Sequence, residues 1–316
     1  MFLYLINIVI FNNIFSTKFI YLKDIPHFMK QDLIEEASLS LLKNNFTIKI
    51  LKAPFDILAK KDSKVLLIKI LEDANSISIE TINEMKKLSK SIQASPLIIS
   101  QKAGFKLQDN IVYQRYGINT INFATFQNSF SQPLFIISNK SGFIIKIIGK
   151  KLKQLRENKN LSLSSLGLKL STSSRMVSKY ESEDSNISLN RALKLEKILG
   201  PDIFKQIDLL TSDLSDIFYD TFSDISKKYH SLGFTSIEFS RLPVDIIARK
   251  DNEIILTKTT DKVSKDFFSF TELFDLDNLI IFKNKKPKTE TPVIHKQEFL
   301  ELEDGNDLIS FLREFE

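Results

Sequence analysis

Apolar residues recur at helical spacing on both sides of a short polar break between 161 and 181, LSLSSLGLKLSTSSRMVSKYE. Leu163, Leu166 and Leu170 share one face of a first helix, and Ser162 is placed to cap its start. Ser171 and Thr172 make the turn, and Ser173 caps a second helix. In that helix Val177 and Tyr180 face inward, which leaves Ser174, Arg175, Ser178 and Lys179 on the outer face. Gly167 stands where the second helix has to come close. A preceding helix over 150–159 turns Leu152 and Leu155 inward. A following helix over 188–199 has Ser188 as its cap and an apolar face at Leu189, Leu193, Leu195 and Leu199. A helix with an apolar back and a polar, cationic front suits the major groove of DNA. An ordinary helical hairpin in a protein core produces the same pattern.

A second pattern repeats. Residues 54–69 read PFDILAKKDSKVLLIK, and residues 243–258 read PVDIIARKDNEIILTK. The two segments align without a gap. Each is preceded by a helix and a short strand, over 30–44 then 46–51, and over 222–232 then 234–240. Polar turns at 61–64 and 250–253 join paired strands. Each copy continues into a helical stretch and an apolar strand, at 96–99 and 279–282. Both copies therefore predict helix, three strands, helix, strand. Residues 132–148 predict a β-hairpin that turns at 139–142 and links domains. The chain closes with an amphipathic helix over 304–315, and 283–288, KNKKPK, is a basic loop.

Residues 1–28 are apolar but interrupted by Asn7, Asn12, Asn13 and Lys18. A membrane span takes about 20 apolar residues, which this stretch reaches only by burying polar side chains. It has no basic leader region and no small-residue cleavage site. A well-patterned helix begins at Met29. The expectation is a start at Met29, with 1–28 a non-native or disordered extension and no membrane anchor.

Composition narrows the chemistry. The 316 residues suffice for two or three domains, and the net charge of +5 is compatible with nucleic acid. Cysteine is absent, which excludes disulfides and thiolate metal sites. The three histidines, His27, His230 and His295, are far apart in sequence. No glycine-rich phosphate cradle is present. Neither a cofactor nor a metal is expected.

The run 149–200 resembles the phage repressor/Cro type of DNA-binding domain. The resemblance rests on Leu155-Arg156-Glu157, Leu161-Ser162-Leu163, Leu166-Gly167, Leu170, Ser173, Val177 to Glu181 and Ala192 to Leu195. Two positions depart from that pattern. Leu163 stands where the family often has a glutamine at a phosphate, and Ser171 where it favours glycine. The order of the repeated segments resembles the restriction-endonuclease-like fold, whose members use an Asp and then an acidic-x-Lys triplet to hold Mg²⁺. Asp56 and Lys69 match, as do Asp245 and Lys258. The triplets read Leu67-Ile68-Lys69 and Leu256-Thr257-Lys258, so each lacks the middle carboxylate. Both copies resemble inactive relatives, with Asp and Lys as cross-strand ion pairs. With Phe55 to Ala59, 66–72, 95–99 and 113–117 added, residues 29–316 resemble archaeal helix-turn-helix transcriptional regulatory proteins.

The expected fold class is a multi-domain α+β chain. Two degenerate restriction-endonuclease-like αβββαβ domains, 29–131 and 212–316, flank an all-α Cro-type domain, 149–211, with its motif at 162–181 and the hairpin 132–148 as connector. The expected function is a cytoplasmic, DNA-binding transcriptional regulator that reads the major groove with helix 173–182 and is not an enzyme. Arg175 is placed for bidentate contact to guanine, with Ser174, Ser178 and Lys179 as shorter contacts. Ser162, Lys169 and Ser173 are placed for backbone phosphates. The expected partner is double-stranded DNA, bound by a homodimer. The rival readings are a metal-dependent nuclease targeted by the reader and an antitoxin-like interaction protein.

Overall fold

The two repeated segments fold alike. The computed structural model describes residues 30–211, 223–274 and 276–315. The expected extension 1–28 and the expected domain start at 212 lie outside the described residues. The first copy comprises α1 (Lys30–Lys43), β1 (Thr47–Ile50), β2 (Ile57–Lys61), β3 (Lys64–Asp73), α2 (Ile79–Ser91) and β4 (Ser95–Lys102). Then come β5 (Ile111–Arg115), β6 (Ile118–Ile121), α3 (Phe123–Asn128) and the hairpin β7 (Ile136–Asn139) and β8 (Gly142–Lys146). The reader follows as α4 (Gly149–Asn158), α5 (Leu163–Lys169), α6 (Ser174–Ser182), β9 (Asn186–Ser188) and α7 (Leu189–Leu199). The second copy is α8 (Asp224–Ser231), β10 (Thr235–Glu238), β11 (Ile246–Lys250), β12 (Glu253–Thr259), α9 (Lys265–Thr271) and β13 (Asp277–Phe282). The elements β14 (Val293–His295), α10 (Lys296–Glu301) and α11 (Gly305–Arg313) close the chain.

Contacts divide the described chain into two units. One holds 34–70, 76–97 and the described part of 210–316. In it, both copies pair their first three strands antiparallel and in matching register. Ile57 lies opposite Ile68 in the first copy, and Ile246 opposite Thr257 in the second. Turn residues Asp62 and Asp251 take φ of 53° and 51°, a left-handed conformation that Asp tolerates. In the second copy β13 runs parallel to β12, and β14 parallel to β13. The strand residues 65–68 are all buried, as are 255–257. Such consecutive buried residues mark strands covered on both faces. The two copies also touch reciprocally. Lys49 of β1 meets Glu272 after α9 at 2.7 Å, while the Ser240 N–H after β10 donates to Glu84 of α2 at 3.4 Å. Each copy offers the end of its first strand to the other's helix, the pattern of an isologous contact made within one chain.

The other unit holds 30–33, 71–75 and 98–209. There β5 pairs antiparallel with β6 and parallel with β7, and β7, β8 and β9 pair antiparallel in that order. The reader departs from the all-α expectation, because β9 inserts between α6 and α7 and joins the hairpin. The hairpin is accordingly part of the reader's core as well as a link. Ile136, Ile145 and Ile147 pack in one cluster with Leu152, Leu166, Leu170, Val177, Tyr180, Ile187 and Leu195. The chain leaving α7 returns along the hairpin, where the Ile148 N–H donates to the Ile203 carbonyl at 2.7 Å. Four short helices enclose little apolar surface, and the hairpin supplies the missing side.

Candidate nucleic-acid interface

Serine oxygens set the two helix starts of the motif. Ser162 Oγ accepts from the Ser165 N–H at 3.0 Å, and Ser173 Oγ accepts from the Met176 N–H at 3.2 Å. Each oxygen satisfies an otherwise orphaned amide, and each hydroxyl proton remains available to a phosphate. Ser188 was expected to cap α7 in the same way. It makes no side-chain cap bond, and as the last residue of β9 it pairs with Ile144 instead. Val177 and Tyr180 are buried, while Ser162, Lys169, Ser173, Ser174, Arg175, Ser178 and Lys179 are all exposed. Arg175 carries no ion pair among the described residues, whereas Lys179 lies 3.8 Å from Glu183 one turn on. That pair is exposed and worth little, so Lys179 can exchange it for a phosphate.

Both departures from the Cro-type pattern have a physical account. Leu163 packs against the reader's core, trading a polar contact for burial. Ser171 takes the left-handed conformation that favours glycine, with φ of 54°. Its hydroxyl receives a hydrogen bond from Lys194 Nζ at 3.0 Å, which ties the turn to α7.

Two glycines permit close approach of backbone. A Cβ on Gly167 would lie 2.9 Å from the Thr172 carbonyl oxygen and 3.2 Å from the Ser174 nitrogen. A Cβ on Gly149 would meet the Tyr180, Glu183 and Glu181 carbonyl oxygens at 2.7–2.9 Å. Gly167→Leu is therefore expected to cost about 1–3 kcal/mol through overpacking. Denaturant unfolding measures the loss, and an unchanged midpoint together with unchanged DNA affinity would show that the turn can move aside.

The residues that hold α6 in place were legible only as matched letters. Arg156 on α4 grips Glu181 on α6 with two parallel bonds, Nε to Oε1 at 2.5 Å and Nη2 to Oε2 at 2.9 Å. Its Nη1 donates to the Leu161 carbonyl at 2.7 Å. The Arg156 side chain is 10% exposed and that of Glu181 7%. Hydrogen bonding to Glu181 holds the guanidinium above its ordinary pKa despite burial. A planar fork of this kind fixes orientation as well as distance.

The Asp and Lys of each repeated copy form ion pairs. Asp56 accepts from the Ile70 N–H at 2.7 Å and lies 3.4 Å from Lys69 Nζ. Asp245 accepts from the Thr259 N–H at 2.8 Å and from Lys258 Nζ at 2.6 Å. The would-be second ligand positions, Leu67 and Leu256, are fully buried. Two later carboxylates, Asp73 and Asp261, are engaged by backbone amides. Asp73 accepts from the Asn75 N–H at 2.9 Å and the Gly104 N–H at 3.2 Å. Asp261 accepts from the Lys283 N–H at 2.7 Å and the Asn284 N–H at 3.1 Å. One carboxylate beside a lysine does not fit Mg²⁺, which wants several oxygen ligands. Among the described residues no group of three or more metal-ligating side chains converges.

Comparison with known proteins divides along the same lines. A PD-(D/E)XK superfamily domain matches residues 30–134, and a helix-turn-helix matches residues 152–203. The chain is 32% identical to a protein of Archaeoglobus fulgidus over 89% of its own length and 97% of that protein's. It is 30% identical to one from Methanobrevibacter smithii over 82% and 89% of the two lengths. A third, from Methanocaldococcus jannaschii, is 29% identical over 90% and 97%. All three are named, by inference, HTH-type transcriptional regulatory proteins. No solved structure matches the chain significantly.

Proposed function

This chain belongs to the archaeal family of HTH-type transcriptional regulatory proteins, and we propose that it regulates transcription by reading the DNA major groove with α6. The observation that carries this reading is the exposed face of Ser174, Arg175, Ser178 and Lys179 on a helix whose opposite face is buried. Arg175 at the start of that helix takes the bidentate guanine contact. Lys169, Ser162 and Ser173 hold backbone phosphates. A single reader of this size spans few base pairs, and a homodimer presents two of them to half-sites about one helical turn apart. The protein then works in the cytoplasm, on chromosomal DNA. Residues 29–131 and 212–316 act as two degenerate PD-(D/E)XK-like domains before and after the reader in sequence, and the matching Asp–Lys pairs of the two copies support that assignment.

Genome-wide occupancy of the tagged protein supplies the binding site. On that site Arg175→Ala is expected to cost about 1–3 kcal/mol while sparing random DNA. Lys169→Ala is expected to weaken all DNA alike and flatten the salt slope by about one. Equal effects of both changes on specific and random duplexes would remove α6 as the recognition element.

The PD-(D/E)XK match favours a second reading, a nuclease targeted by the reader. Ligand counting opposes it, because each copy offers one carboxylate where the chemistry needs two. No cleavage of linear, supercoiled or branched DNA is expected with Mg²⁺ or Mn²⁺. Metal-dependent cutting that vanishes in an Asp56→Ala/Asp245→Ala double variant would overturn this expectation.

A further inference from the structure

The basic loop 283–288 is anchored where it begins. The Asp261 carboxylate accepts from the Lys283 and Asn284 N–H groups at 2.7 and 3.1 Å and from the Asn284 side-chain amide at 3.0 Å. These backbone donors hold its pKa below the ordinary carboxylate range. From the other side His295 Nε2 lies 2.9 Å from the Lys283 carbonyl. His295 Nδ1 accepts from the Gln297 N–H at 3.3 Å and so caps α10. That assigns the ring proton to Nε2, which donates to the loop. The backbone at Lys283 and Asn284, where the loop begins, is thus held from two sides, while Lys283, Lys285, Lys286 and Lys288 are all exposed. Among the described residues none of these four lysines has an ion-pair partner. The loop contains no acidic residue, and the Asp261 charge beneath it is spent on amides.

The first copy carries a smaller version of the same device. After β4, Asp73 accepts from the Gly104 N–H at 3.2 Å and holds a turn that exposes Lys102, Phe105 and Lys106. A carboxylate at the end of the third strand fastens a basic turn after the fourth strand in both copies.

We propose that loop 283–288 is a second DNA contact, gripping duplex phosphates independently of sequence. Closely spaced lysines on a loop anchored at its start match a polyanion with regularly spaced charges, and lysine meets phosphate as a point charge without base preference. The proposal rests on the reader binding DNA, because the reader is what brings this chain to duplex DNA.

The test uses the full chain and two duplexes, one carrying the occupied site and one of random sequence. The variants are Lys285→Ala/Lys286→Ala/Lys288→Ala, the corresponding triple Arg variant, and Arg175→Ala. Each phosphate contact contributes about 0.9 to the slope of log affinity against log salt. The triple Ala variant should flatten that slope by roughly 2.7 on both duplexes. Near 0.15 M salt its affinity should fall on the order of a hundredfold. The triple Arg variant should restore both quantities, and the melting temperature should not change. An unchanged slope in the triple Ala variant, with Arg175→Ala still losing the specific site, would overturn the loop contact and leave the reader standing. Absence of any DNA binding by the unaltered chain would overturn both. Loss of binding to phosphatidylserine vesicles with an unchanged DNA slope would reassign the loop to anionic lipid and overturn the proposal.

Discussion

Arg156→Ala is expected to destabilise the reader by about 3–5 kcal/mol, the usual cost of removing one partner from a buried ion pair. The change leaves the Glu181 carboxylate, whose side chain is 7% exposed, without its fork. It also removes the donor to the Leu161 carbonyl just before α5. A domain of this size has a total stability of about 5–15 kcal/mol, so the loss is a large share of it. DNA affinity should fall with it on specific and random duplexes alike, because α6 loses its anchor to α4. Arg156→Lys should recover only part of the loss, since an ammonium cannot make two parallel bonds to one carboxylate. The Arg156→Ala/Glu181→Ala double variant should be less damaged than the sum of the singles, because no buried charge is then stranded. Urea unfolding of the four proteins measures this. Additive single effects would show that the two side chains do not act as a pair.

Asp56→Ala is expected to cost a similar amount, about 3–5 kcal/mol, for a reason unrelated to catalysis. Asp56 is 8% exposed, and its carboxylate serves both Lys69 and the Ile70 amide. Removing it takes an ion-pair partner from a largely buried ammonium and orphans a buried N–H. Asp56→Asn should cost less, because the amide oxygen can still accept from Ile70. Asp245→Ala in the second copy should also cost less, because the Asp245 side chain is 34% exposed and water can replace part of what is lost. Thermal unfolding with and without Mg²⁺ gives the measurement. A full-stability Asp56→Ala protein, or a wild type that Mg²⁺ stabilises and Asp56→Ala does not, would show that the carboxylate is kept for a metal.

Much of the reader is legible in the sequence, and the reason is local. Helix starts at Ser162 and Ser173, the inward positions Val177 and Tyr180 and the outward Arg175 all follow from caps and a 3.6-residue period within about twenty residues. The repeated copies were legible for a different reason. Two segments in register constrain each other, and both run helix, three strands, helix, strand as expected. The absence of a carboxylate at Leu67 and Leu256 could likewise be read directly. By contrast β5, β6, α3, β14 and α10 have no counterpart among the expected elements.

Local pattern alone specifies helix α6, its exposed cationic face, the doubled αβββαβ order and the leucines at 67 and 256. Each of these depends on residue type at short spacing. Packing sets what depends on partners far along the chain. The strand β9 has three residues, too few to alternate legibly, and exists because β8, some forty residues earlier, offers it an edge. Arg156 and Glu181 lie 25 residues apart and read as two ordinary surface charges until α4 and α6 are packed together. Asp261 and the 283–288 loop are 22 residues apart, and only the pairing of β12 with β13 brings the carboxylate to the amides it holds. Period and capping are properties of a segment, whereas the partner of a buried charge is a property of the fold.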